Sequence, residues 1–154
     1  MAKALNNENV VVRGMEELLN SMKVLPSNIK RNIVNGAVRA SAAAIVKEAK
    51  ANVPKDEGDL KRSLKVVKRK SKDKHIVAFT VSPSSKEFHK IQDAKNERHY
   101  NYGGHVEFGS SKTQAHPFLR PAFENQGQNA IDIFKKYMAK RIDKEIAKSW
   151  LKKT

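Results

Sequence analysis

The sequence predicts an α+β fold: a small, mostly antiparallel sheet of three to four strands packed against a long helix and a C-terminal helix. Three observations lead there. In residues 27–54, Ile29, Ile33, Ala37, Ala40 and Ala44 recur at helical spacing and the run ends at Pro54. Residues 64–82 hold two β-rich runs, LKVVKRK and HIVAFTVS, around a polar turn at Ser71–Asp73. From Pro121 onward, Ala130, Phe134, Met138, Ile142, Ile146 and Trp150 return every four residues, a helical period again. At 154 residues with 39% hydrophobic content, one domain spanning 1–154 is expected.

The elements follow in order. ENVVVRG reads as a short first strand. GMEELLNSMKVL then places Met15, Leu18, Leu19 and Met22 on one helical face. Pro26 stops that helix, and Ser27 is expected to cap the next, because its hydroxyl accepts a free backbone N–H. Gly36, Ala40 and Ala44 make a ridge of small residues that lets another backbone approach closely, either within the domain or between subunits.

After Pro54, KDEGD is a turn built on Gly58, and Asp59 is placed to cap a single helical turn through Leu64. In the second strand, Val77, Phe79 and Val81 alternate with Ile76, Ala78 and Thr80, which predicts burial on both faces over part of its length. Its partner is rich in lysine, the mark of a solvent-facing edge. Residues 82–99 are polar and without a clean period, and read as an insertion. YNYGGHVEFG reads as a third strand, with Tyr100, Tyr102, Val106 and Phe108 on one face and Gly103-Gly104 at a bulge. The four-residue row on the last helix advances about 40° per step, so it winds round the axis. Its first half is expected to pack on the domain and its second half to need another surface.

The charge is uneven. The net charge is +15. Residues 61–74 carry eight bases and one acid, and the stretch from Lys135 carries eight bases and two acids. Residues 76–123 are near neutral. Lys61, Arg62, Lys65, Lys68, Arg69, Lys70, Lys72 and Lys74 are therefore the candidate contacts for DNA or for an acidic protein partner. No aromatic residue interrupts that run, so base stacking of the single-strand type has no support. No helix-turn-helix or zinc finger is legible, so any contact with nucleic acid is expected to be nonspecific.

Other chemistry is absent from the residue patterns. The chain has no cysteine, which removes disulfides, thiolate catalysis and Cys-based zinc sites and fits a cytosolic product. No apolar run is long enough to span a membrane, and the N-terminal residues lack an uninterrupted apolar core, so no secretory signal is expected. The five histidines form no HExxH pattern, and His105 with Glu107 would at most pair across one pleat. There is no GxSxG or phosphate-binding loop. The expectation is no enzyme, no metal and no cofactor.

The stretch VEFGSSKTQAHPFLRPAFE (106–124) carries the most local information. Gly109 can take backbone angles closed to other residues and end an element sharply. Ser110, Ser111 and Thr113 can satisfy exposed backbone groups, so Gly109–Ala115 reads as a short flexible tip. Pro117 forces His116 to be extended, and Phe118 and Leu119 anchor the return. Pro121 suits the first turn of a helix. Arg120, set between prolines and hydrophobes, looks buried and then needs an anionic or carbonyl partner. That partner is Glu107 or Glu124 in the same chain, or a neighbouring subunit.

Two stretches carry a family resemblance. AKANVPKDEGDLKRSL resembles a pattern of helix, proline, Gly turn and Leu-x-x-Ser. YGGHVEFGSSKTQAHPFLRPAFE resembles a strand ending Glu-Phe-Gly, a Ser/Thr-Lys turn, then a Pro-Phe-Leu-Arg-Pro-Ala entry to the last helix. Together they resemble siphophage minor tail proteins of the neck or tail-completion type, the class that includes the Z protein of phage lambda. The resemblance runs from about Val11 to Met138; the 82–99 insertion and the basic tail after Lys135 depart from it.

The resemblance implies a structural virion protein that joins head to tail, made in the host cytoplasm and placed at the head–tail junction. It implies self-assembly into a ring round the DNA channel, commonly a hexamer. It also implies contacts with a head-closure or connector protein and with a tail terminator or tail tube protein. Gly109, Ser110, Ser111, Lys112 and Thr113 at the tip, with Arg120, Ile146 and Trp150, are the candidate subunit contacts. The competing expectation is a nonspecific nucleic-acid-binding module that uses the basic hairpin.

Overall fold

The structure, a computed structural model, describes residues 14–54, 58–73, 76–84 and 103–151. The expected first strand at ENVVVR, the centre of the KDEGD turn, Lys74 and most of the 82–99 insertion lie outside the described residues.

Helix α1 spans Met15–Met22. Glu16 and Glu17 in its first turn favour the positive end of the helix dipole. Met22 is buried while Leu19 is half-exposed, so only part of the predicted apolar face meets the core. Helix α2 spans Ser27–Asn52. Its cap position is Pro26, not Ser27, and no side chain caps it. The proline supplies the entry geometry and its carbonyl accepts the Lys30 N–H at 3.0 Å, so Ser27 is already helical. At the other end Val53 is extended, as a residue before proline must be.

Helix α3 is the short turn Asp59–Ser63, entered through Gly58 at φ 83°. Asp59 is buried and paired with Arg62. Strand β1 (Leu64–Arg69) pairs antiparallel with β2 (Ala78–Pro83), from Leu64 opposite Pro83 to Arg69 opposite Ala78. One face of the pair carries Leu64, Val66, Lys68, Phe79, Val81 and Pro83, and α2 contacts both strands. The opposite face carries Lys65, Val67, Arg69, Ala78, Thr80 and Ser82. No residue of β2 is fully buried, contrary to the expected two-sided burial. The cause is the sheet itself: among the described residues it has two strands.

The expected third strand is a correction. Residues Gly103–Phe108 form a helix, α4, with Gly103 and Gly104 inside it rather than at a bulge. Val106 packs on a core cluster while Phe108 is 74% exposed. Two positions apart on a helix point to different sides; on a strand they share one.

Helix α5 runs from Leu119 to Leu151, about 50 Å. Pro121 falls in its first turn, where no N–H is required. The helix lies antiparallel to α2, and two cores join them. Met22, Leu25, Ile33, Ala37, Met138 and Ile142 form one. Ala49, Val53, Leu60, Leu64, Phe118 and Ala122 form the other, at the far end of α2. The small-residue ridge serves this intramolecular packing: a Cβ on Gly36 would overlap the Tyr137 ring, 2.7 Å from Cζ. The winding apolar row of α5 is covered in the same chain through Met138 and Ile142, with Ile146 packed alongside, because α1 and the Leu25 turn supply the extra surface.

Candidate functional site: a capped corner and a basic hairpin

Helix α4 ends at Gly109, whose φ is 75° and whose N–H reaches the His105 carbonyl at 2.8 Å. A side chain there is excluded twice, by the left-handed backbone and by space, since a Cβ would sit 3.0 Å from Ala115 N and 3.1 Å from the Thr113 carbonyl. The chain then makes a serine turn. Ser110 N–H donates to the Thr113 carbonyl at 2.9 Å, and Ser110 Oγ accepts from the N–H groups of Lys112 at 3.2 Å and Thr113 at 3.1 Å. His116 N–H closes the loop on the Val106 carbonyl at 2.7 Å. The expected loose tip is thus a hydrogen-bonded turn, with Ser110, Ser111, Lys112 and Thr113 exposed at its crest.

Glu107 locks the corner. It is 6% exposed and sits at the N-terminus of α5. Its Oε2 accepts the N–H groups of Phe118 and Leu119, each at 2.8 Å, and Oε1 accepts that of Arg120 at 3.1 Å. Three backbone donors left open by the start of the helix are thereby satisfied by one carboxylate. Burial alone would raise its pKa. The three backbone hydrogen bonds and the nearby Arg120 charge outweigh burial and hold it below the ordinary value.

Arg120 is exposed, not buried as its apolar neighbours suggested. Its charge acts on Glu107, the first of its two expected partners. Glu124 is exposed one turn further on. Sequence reasoning missed the capping role of Glu107, though the glycine two positions later was a readable helix-end signal.

With its oxygens engaged, Glu107 is poorly placed for acid–base work. No group of His, Asp and Glu able to hold a metal exists among the described residues, and no described helix is long and apolar enough to cross a membrane. The corner is architectural: it fixes the angle between α4 and α5 and carries an exposed crest.

The second cluster is the hairpin. Lys61, Arg62, Lys65, Lys68, Arg69, Lys70 and Lys72 are all exposed. Arg62 pairs with Asp59, and Arg69 Nε donates to Thr80 Oγ1 at 3.0 Å. The remaining candidates stand apart from both clusters. Ile146 is partly buried against the first core, and the Trp150 side chain lies outside the described residues.

One family model matches the chain, over residues 16–109, more than half its length; its description reads "Bacteriophage HK97-gp10, putative tail-component". The chain belongs to the HK97-gp10-like family. The match takes in α1 through α4 and stops at Gly109, so the Pro-Phe-Leu-Arg-Pro-Ala entry to α5 lies beyond it. As an HK97-gp10-like protein, the chain is a bacteriophage tail component, of a structural class that belongs to the virion. No curated protein and no solved structure matches it.

Proposed function

We propose that this HK97-gp10-like protein is a head–tail joining or tail-completion subunit of a tailed bacteriophage. The family match over residues 16–109 carries the reading. The subunit assembles as a ring, six-fold by analogy with neck and tail-completion proteins, round the DNA channel. One surface meets the head-closure or connector protein and another the tail terminator or tail tube. The corner supports this role because it is stiff where it joins the core and exposed where it turns. Its crest, Ser110–Thr113, together with Arg120, is the surface we assign to the neighbouring subunit or adjoining virion protein. A recurring contact in a ring needs a loop held at one angle in every copy. The Glu107 cap and the Gly109 turn hold it so.

Electron microscopy of lysates from a phage carrying an early stop codon in this gene tests the reading. DNA-filled heads beside separate or defective tails are expected. Normal infectious particles would refute an essential joining role.

A further inference from the structure

We propose that the exposed face of the β1–β2 hairpin contacts the phosphate backbone of double-stranded DNA without reading base sequence. This stands independently of the head–tail reading. Between Gly58 and Asp73 there are seven bases and two acids, and Asp59 is buried against Arg62. All seven bases are exposed. The strand register sets Lys65, Val67 and Arg69 opposite Ser82, Thr80 and Ala78, so β2 adds small, neutral side chains to that face. Arg69 is held in place by Thr80. Lys70 and Lys72 continue the charge into the turn, and Lys68, opposite Phe79 on the other face, is exposed as well.

The six residues of β1 alone span about 20 Å. An extended row of one sign suits a polymer with regularly repeated negative charge. An acidic protein partner would need an apolar anchor at the centre of its contact. Val67, 37% exposed, is the largest apolar side chain on this face and too small for that purpose. Residues 58–73 contain no aromatic residue to stack on an unpaired base and no Asn or Gln to read adenine. What remains is backbone contact with a duplex.

The test is fluorescence anisotropy with a short labelled duplex of arbitrary sequence, titrated between about 50 and 200 mM salt. Three proteins are compared: the wild type, K65Q/R69Q/K72Q in the hairpin, and K136Q/K140Q/K144Q on α5. The two variants lose the same net charge from exposed positions, and far-UV circular dichroism checks that both fold. The hairpin variant is expected to bind about tenfold or more weakly at low salt, with a log–log salt slope shallower by about 2.7. The α5 variant should change much less. Equal losses in both variants would overturn the assignment, as would undetectable binding by the wild type. Polyglutamate binding as tightly as the duplex, with the same dependence on the hairpin bases, would also overturn it in favour of an acidic protein partner.

Discussion

Replacing Glu107 by glutamine isolates what one charged cap contributes. The glutamine keeps the shape but offers one acceptor oxygen where the carboxylate offers two. Wild-type Oε2 takes Phe118 and Leu119, and Oε1 takes Arg120. In the variant, whichever side the amide NH₂ group faces then confronts a backbone N–H with another donor. At least one donor is left without an acceptor, at about 1–3 kcal/mol where it is buried. Removing the negative charge from a partly buried helix N-terminus costs up to about 2 kcal/mol more. These effects overlap, so the expected loss at neutral pH is about 2–3 kcal/mol.

The pH dependence gives an independent check. The folded-state pKa of Glu107 is depressed, so its stabilisation is fully present above the ordinary unfolded value, about 4.3, and is lost as pH falls through the folded value. The gap between wild type and E107Q should therefore be constant above about pH 5 and narrow as pH falls below 4. Urea denaturation followed by circular dichroism over that range reads both quantities. Equal stability at pH 7, or a gap that stays constant into the acid range, would refute the capping argument.

Gly36→Ala sets two effects against each other: helix propensity favours alanine by about 1 kcal/mol, while overlap with Tyr137 costs about 1–3 kcal/mol. The change should destabilise the wild type and become neutral or stabilising in a Tyr137→Ala background, and a double-mutant cycle in urea measures that reversal. Gly109→Ala should lower stability by about 2 kcal/mol, through its positive φ and the 3.0 Å approach to Ala115 N, as read by chemical denaturation. The triple change S111A/K112A/T113A should leave stability within about 0.5 kcal/mol, since Ser110 and backbone groups hold the turn, yet abolish complementation of a phage lacking the gene.

Long periodic elements were legible in the sequence. Helix α2 and the long C-terminal helix show their period over many turns, and the hairpin shows two β-rich runs about a polar turn. Short elements were not. Over GGHVEF, the Val106 and Phe108 alternation fits a strand, but six residues hold too little period to decide. What decided was nonlocal: the helical conformation delivers Glu107 to amide groups eleven to thirteen residues away. Pattern reading along the chain does not see such a partner. The winding row on α5 is covered by the same chain as far as Ile146, not by another surface, and the spatial return of Met22 and Leu25 that covers it leaves no periodic trace. Arg120 shows a related failure: apolar neighbours in sequence say little about exposure where a helix begins.

Two backbone hydrogen bonds pin the crest at its base, Gly109 N–H to the His105 carbonyl and His116 N–H to the Val106 carbonyl. Neither involves Ser111, Lys112 or Gln114. Side chains there can be exchanged at little cost to the domain, because Ser110 and backbone groups hold the turn. If the crest meets a neighbouring protein as proposed, its contact chemistry can change while the helices and the capped corner stay the same.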